Sequence, residues 1–210
     1  MDVHSPMGAV NSWRDFFVHL AIITLGLLIA LGLEGLVEWG RHQELVHRAE
    51  TDLRSELQAN RTLSAANTKS LDAAEVQAET DLGILLAYRT TRHPTGDLKF
   101  HWEWSSLTSA AWDTARNTGA VALMDYAKAQ KYSETYGQQS LVNAQAAAYM
   151  RDMYRSAAPL EGGRRLSDLQ PAELDAMIAN VQQTMADLNY LRDLSNSLAH
   201  EFERAAANGH

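Results

Sequence analysis

Hydrophobic residues are concentrated near the start of this chain. Residues 16–33 form an apolar run without a formal charge, between Asp15 and Glu34. A run of about 18 or more apolar residues is long enough to cross a bilayer as a helix. Trp13 and Trp39 flank the run, which is typical of indole rings at the two headgroup layers. This pattern predicts a membrane-spanning helix.

The flanks of the run favour an uncleaved anchor over a cleaved signal peptide. Arg14 is the only lysine or arginine before the run, and the segment after it, residues 35–41, is a poor cleavage site. We therefore divide the chain into a short tail over residues 1–12, a transmembrane anchor over 13–39 and a soluble helical bundle domain over 40–210.

Beyond the anchor, apolar residues recur at steps of three and four, which is the period of a helix buried on one face. The pattern predicts helices over residues 38–88, about 105–117 and roughly 120–157, and Pro171 suits the first turn of a last helix. No segment shows the alternation of a strand. We therefore predict an all-α fold, in which an N-terminal transmembrane helix extends into an antiparallel helical bundle with coiled-coil-like seams.

Two polar residues, Asn60 and Asn67, lie close to the apolar seam of the first long helix. Buried polar residues at such positions fix the register of paired helices in coiled coils. We interpret both asparagines as register-setting residues and not as ligand-binding residues.

The composition argues against several classes of function. The formal net charge is -8, and no basic stripe is present to displace counterions from nucleic-acid phosphates. The chain has no cysteine, so it has neither disulfides nor thiolate chemistry. It also has no HExxH motif, no glycine-rich phosphate loop and no nucleophile elbow. We expect no enzymatic activity, metal, cofactor or nucleic-acid partner.

Three polar residues, His19, Thr24 and Glu34, interrupt the anchor. Helical spacing places His19 and Glu34 near one stripe with Gly26 and Ala30, a small-xxx-small pair that lets two helices approach closely. A carboxylate in hydrocarbon is costly and tends to face protein or water. One interpretation is an oligomer whose anchors pack on this stripe and place Glu34 along an axis or ion path. The other places Glu34 in the headgroup layer without a special role.

The densest aromatic and polar cluster lies beyond the first long helix, in residues 100–119. In one interpretation its polar residues are structural, because Asp113 and Arg116 are spaced for a local ion pair and Asn117 suits a helix end. The alternative is a ligand pocket with apolar walls and a few polar groups. Its residues would be His101, Trp102, Trp104, Trp112, Asp113, Arg116 and Asn117.

Two segments resemble a family of uncharacterised bacterial single-pass membrane proteins. They are Ile-Thr-Leu-Gly-Leu-Leu-Ile-Ala-Leu at residues 23–31 and the segment from Trp112 to Asp125, with Tyr132 and Tyr136 matching a helix that follows in the family. The resemblance covers about half of the chain. It implies an N-terminal anchor and a helical C-terminal domain in the periplasm, but no activity.

Charge and resemblance give different membrane orientations. Arg14 before the span is outnumbered by Arg41 and Arg48 after it, which mildly favours a cytoplasmic C-terminal domain. Acidic residues are interspersed after the span, and the resemblance favours the periplasm. We expect a protein of the bacterial inner membrane with a periplasmic C-terminal domain.

These features predict a membrane-anchored helical scaffold or interaction protein that self-associates. Two alternatives remain open: an oligomeric pore or transport component with Glu34 lining the axial path, and a periplasmic ligand sensor. The expected partners are the lipid bilayer, further copies of this chain, and another membrane or periplasmic protein.

Overall fold

The computed structural model of the protein describes residues 13–207, with side chains described to residue 204. The predicted tail over residues 1–12 lies outside the described residues. Within the described range every regular element is helical and no strand occurs, which confirms the prediction of an all-α fold. The helices are α1 (Trp13–Thr91), α2 (Ala110–Asn117), α3 (Ala120–Leu123), α4 (Tyr126–Ala157) and α5 (Pro171–Ala207), with 3-10 turns at Ala158–Gly163 and Leu166–Asp168.

The chain divides into two compact units, Met1–Arg48 and Ala49–His210. In the first unit, α1 contains the apolar run, and it is the one described helix that is long and apolar enough to cross a membrane. None of the most apolar 18-residue window is buried within the chain. Leu28 and Ile29, for example, are 60% and 56% exposed. A helix that is apolar on all faces needs a membrane or another protein to cover it.

In the second unit, the buried face of α1 follows alternating steps of three and four residues. This spacing keeps one stripe of a helix against its neighbours. The stripe combines apolar residues with four side chains that have amide or carboxyl groups. The buried residues at this spacing are Glu50, Leu53, Asn60, Ser64, Asn67, Leu71, Ala74, Asp81, Leu85 and Tyr88.

Two apolar clusters form the core of the second unit. The larger one joins α1, α4 and α5 through residues such as Leu71, Val142 and Leu191, and includes Trp102 and Leu107 from the connection between α1 and α2. Burying one large aliphatic side chain contributes about 1.5–3 kcal/mol, so these contacts dominate the stability of the unit. The smaller cluster contains Leu85, Tyr88, Leu169, Leu174, Met177, Ile178 and Val181.

The helix predicted over about 105–117 is present and ends at Asn117 as predicted, but its predicted start is wrong, because α2 begins only at Ala110. The backbone groups of Ser105 and Leu107 are bonded to asparagine side chains, so they do not join a helical ladder. Helix propensity and the spacing of apolar residues cannot reveal that asparagine side chains compete with the helix for these backbone groups, since the asparagines come from distant parts of the chain.

The predicted helix over residues 120–157 is interrupted. Gly119 has a φ of 80°, which confirms the predicted glycine turn after α2. The short α3 then ends at Met124, whose ψ of 160° is extended. Asp125 starts α4 by accepting a hydrogen bond from Lys128 N at 3.1 Å, as an N-cap residue does. The last helix begins at Pro171, as predicted.

Between α4 and α5, the carboxyl group of Asp187 is only half satisfied. Its Oδ1 accepts a hydrogen bond from Gln183 Nε2 at 3.3 Å, whereas the buried Oδ2 has no partner among the described residues. Burial raises the pKa of Asp187, and the neighbouring carboxyl group of Asp152 raises it further. The folded protein therefore holds a proton on Asp187 more readily than the unfolded chain does.

We expect Asp187→Asn to raise the free energy of unfolding at pH 7 by about 1 kcal/mol, because the amide donates a hydrogen bond to Asp152. In the wild type, stability falls as the pH rises from 3.8, the ordinary aspartate value, through the raised folded pKa. The gain in the free energy of unfolding of Asp187→Asn over the wild type should therefore become smaller toward pH 4. Urea denaturation of the full chain in detergent micelles measures it, with the exposed Asp193→Asn as control. A gain that is the same at pH 4 and pH 7 contradicts the assignment.

Candidate functional site

Residues 92–109 connect α1 to α2 without helical structure, and we call residues 97–109 of this connection the crossing segment. Three asparagines each bind both backbone groups of one residue in it. Asn67 donates from Nδ2 to the Ser105 carbonyl oxygen at 2.8 Å and accepts from the Ser105 N–H at 3.0 Å. The same pairing joins Asn60 to Thr108 and Asn143 of α4 to Leu107.

The crossing segment runs along α1, and it is extended apart from a tight turn in which the His101 N–H donates to the Lys99 carbonyl oxygen at 2.9 Å. The Lys99 N–H donates to Asp81 Oδ1 at 3.0 Å, and Thr108 binds Asn60. Asp81 and Asn60 are 21 residues apart, about 31 Å along the helix axis at 1.5 Å per residue. Nine residues of the segment connect these two side chains, which is possible only where most of the nine are extended. Side-chain amides on α1 and α4 therefore replace the backbone bonds that a helix would have supplied.

Two tryptophans of the crossing segment lie in the core of the unit. Trp102 is only 9% exposed, and its ring centroid lies 5.0 Å from that of Trp104 and 4.7 Å from that of Tyr149, the latter edge to face. Both indole nitrogens are buried without a hydrogen-bond partner among the described residues. This aromatic group fixes the middle of the segment between α1 and α4.

The structure does not bring Trp112 together with Trp102 and Trp104. Trp112 stacks on Tyr136, with ring centroids 5.4 Å apart and planes 9° from parallel. Tyr136 and Tyr149 are 13 residues apart on α4, about 20 Å along its axis. The seven residues predicted to form one pocket therefore belong to two separate places.

The polar residues near Trp112 have structural contacts. Tyr136 OH donates to Glu56 Oε1 at 2.8 Å, and the Ala111 N–H donates to Glu56 Oε2 at 3.0 Å, which ties the start of α2 to α1. Asp113 accepts a hydrogen bond from Ser109 Oγ at 3.0 Å and forms no ion pair with Arg116 among the described contacts. Arg116 and Asn117 are exposed.

A cavity of about 20 Å³ lies beside the crossing segment, between α1, α4 and α5. The polar residues that line it are Gln77, Asp81, Lys99, His101, Tyr149, Ser156 and Thr184. A wider groove of about 280 Å³ adjoins it, and four residues line both spaces. The shared residues are Ala74, Gln77, Lys99 and His101. Trp102 lines the groove but not the cavity.

Asp81 is the titratable residue of this cavity that sequence reasoning missed. It is 2% exposed, and both of its described hydrogen bonds, from Lys99 N and from Gln77 Nε2, end on Oδ1. Burial raises the pKa of Asp81, although these two bonds and the charge of Lys99 oppose the shift. Burial also raises the pKa of Tyr149 to about 12, and the negative charge of Asp81 contributes to this shift. A buried carboxylate that costs stability is a recognised mark of a binding site.

In the first unit, the predicted stripe residues His19, Gly26, Ala30 and Glu34 are all exposed. His19 Nδ1 donates to the Asp15 carbonyl oxygen at 2.7 Å, one turn back, so its polar group is satisfied within the helix. Glu34 has no described hydrogen bond or ion pair within the described chain. The stripe is therefore open to a partner along its whole length.

No protein-family model, curated protein or solved structure matches the chain. The resemblance to bacterial single-pass proteins accordingly stays a prediction.

Proposed function

We propose that the protein is a single-pass protein of the bacterial inner membrane, whose helical bundle in the periplasm serves as a self-associating scaffold or interaction domain. The observation that carries the proposal is the apolar stretch of α1, which no described part of the chain covers. Burying apolar surface is strongly favourable, so such a helix is stable in a bilayer. The family resemblance supports the periplasmic side.

Contacts between α4 and α5 support the bundle. Gln138 Nε2 donates to the Leu194 carbonyl oxygen, and Gln145 Nε2 to that of Asp187. Residue numbers thus rise on one helix while they fall on the other, as in an antiparallel pair. A bundle that buries its apolar faces between its own helices leaves its polar outer surface available to partners.

Self-association is supported by the Gly26 stripe. A Cβ atom added at Gly26 would meet nothing within 4 Å, and Ala30 is exposed one turn further. In hydrocarbon, helices associate mainly by close van der Waals packing, which small residues permit. Glu34 lies on the same stripe, so an oligomer built here brings the Glu34 side chains of several copies toward one axis.

We expect Ala30→Ile to weaken self-association at least tenfold, on the order of 1.4 kcal/mol, because the larger side chain separates the packed helices. Native mass spectrometry of the nanodisc-embedded full chain, over a series of protein concentrations, gives the oligomer masses. Ala21→Ile is the matched control, because residue 21 lies on the opposite side of the helix from residue 30. A wild-type protein that is monomeric at every concentration contradicts self-association, as does an equal effect of both substitutions.

A further inference from the structure

The cavity beside Asp81 is lined by hydrogen-bond acceptors on Asp81, Ser156 and Thr184 and by donors on Gln77, Lys99, His101 and Tyr149. Gln77 Nε2 is already bonded to Asp81, and Lys99 and His101 are exposed residues, so the acceptors decide which group fits the buried wall. Ser156 Oγ donates to the Asp152 carbonyl oxygen at 3.0 Å, and Thr184 Oγ1 donates to that of Asn180 at 2.8 Å. The two hydroxyl groups also form a hydrogen bond with each other at 3.2 Å, in which either oxygen can be the donor. A hydroxyl oxygen has two lone pairs, so both oxygens can still accept a hydrogen bond from a ligand. Both residues line the cavity.

Asp81 adds negative charge to the same wall. Its described hydrogen bonds both end on Oδ1, so Oδ2 retains its acceptor capacity within the described chain. A carboxylate and hydroxyl oxygens around one small space match a group that has several N–H donors, a positive charge and no acceptor. Among common biological groups, a primary ammonium has these properties, with three donors on one nitrogen.

The size of the cavity agrees with this chemistry. A volume of about 20 Å³ accommodates a single water-sized group, and an –NH3⁺ head is of that size. The adjoining groove of about 280 Å³ is large enough for a short organic chain, and the indole of Trp102 lines it. Since Gln77 and His101 line both spaces, a ligand whose head enters the cavity has its body in the groove.

We propose that this site binds the primary ammonium group of a small organic amine, with Asp81 as its counter-ion and the groove along Trp102 holding the rest of the molecule. The Ser156 and Thr184 oxygens accept its remaining hydrogen bonds. Lys99 lines the cavity, and its positive charge interacts with Asp81. The bound ammonium group therefore replaces Lys99 as the positive charge nearest to Asp81. Such binding goes beyond the scaffold role, because it makes the bundle responsive to a small molecule.

The test uses the full chain in detergent micelles, titrated with n-butylammonium, ammonium and tetramethylammonium chlorides at constant ionic strength. Isothermal titration calorimetry gives the affinities. We expect n-butylammonium to bind, ammonium to bind more weakly, and tetramethylammonium, which has no N–H donor and is too large for the cavity, not to bind. Equal affinity for n-butylammonium and ammonium overturns the role of the groove. Failure of both to bind the wild type, or equal binding of tetramethylammonium, overturns the site.

Asp81→Asn should weaken n-butylammonium binding at least tenfold, because the charge is lost while Oδ1 still accepts from Lys99 N–H. The matched control is Glu79→Gln, which removes the same charge from an exposed position two residues away on α1. Unchanged affinity in Asp81→Asn, or equal losses in both variants, overturns the proposal. Thr184→Val, similar in shape to the wild-type residue, is a second variant, and we expect a severalfold loss. Near-ultraviolet circular dichroism shows that each variant is folded, so a structural failure is not counted as lost binding.

Discussion

Asn60→Ala is expected to lower the free energy of unfolding by about 2 to 5 kcal/mol. Asn60 is fully buried, and its side chain satisfies both the N–H and the carbonyl oxygen of Thr108 while also donating to Gln139 Oε1 at 2.7 Å. Alanine leaves these groups without partners, and each unsatisfied buried group costs about 1–3 kcal/mol. The loss of stability should exceed that of an ordinary polar substitution, because the Asn60 side chain binds both backbone groups of Thr108 in the crossing segment.

Urea denaturation of the full chain in detergent micelles, followed by near-ultraviolet circular dichroism, measures this loss. Asn189→Ala is the control, because Asn189 is exposed on α5 and surface substitutions usually change stability by about 0.5 kcal/mol or less. Asn60→Asp keeps the acceptor for Thr108 N–H but removes the donor and adds a buried charge, so it should also be destabilising. Wild-type stability in Asn60→Ala would show that the amide pairing is dispensable.

The sequence predicts the helices well where local rules decide them. The length of the apolar run predicts a helix, because a single segment in hydrocarbon can satisfy its own backbone groups only as a helix. Pro171 and Gly119 mark a helix start and a turn because each limits or permits particular backbone angles. These features depend on residues that are neighbours in the chain, and the structure has each of them at the predicted position.

The crossing segment could not be predicted, because its conformation depends on distant side chains. Residues 105–109 have a helix-compatible sequence, but Asn67 and Asn143, 38 and 36 residues away from their partners, bind their backbone groups instead. Asn60 and Asn67 were predicted to fix the register of a helix pair. They do fix a register, but it is that of an extended segment against α1.

Asp81 could have been found from the sequence. With Ala74, Ala78, Leu85 and Tyr88 it continues the same three-and-four spacing, so a charged residue lies on the apolar stripe of α1. Charged residues are almost never fully buried without a partner, which makes one on a buried stripe informative. Aromatic density instead pointed to Trp112 and its neighbours, which lie about 20 Å away along α4.

Trp102→Ala is expected to cost about 3 to 5 kcal/mol, since it removes a large side chain packed against Trp104 and Tyr149 in the core. Trp102→Phe should cost only about 1 to 2 kcal/mol, because an aromatic ring remains against Tyr149 and the unpartnered indole N–H is removed. The same urea denaturation measures both. Tyr154→Ala is the control, as Tyr154 is a 59% exposed aromatic residue on α4.

The comparison separates two roles for Trp102. A residue that only lines a ligand groove would lose little stability when truncated, so a change of less than about 0.5 kcal/mol in Trp102→Ala would assign the ring to binding rather than to the core. A large loss of stability in Trp102→Ala, together with a small loss in Trp102→Phe, assigns the ring to the core. Weakened amine binding in Trp102→Ala would then reflect the displaced crossing segment, which supplies Lys99 and His101 to the cavity. Trp102→Phe, with the segment in place, is therefore the variant in which a direct contact between the indole and the amine can be measured.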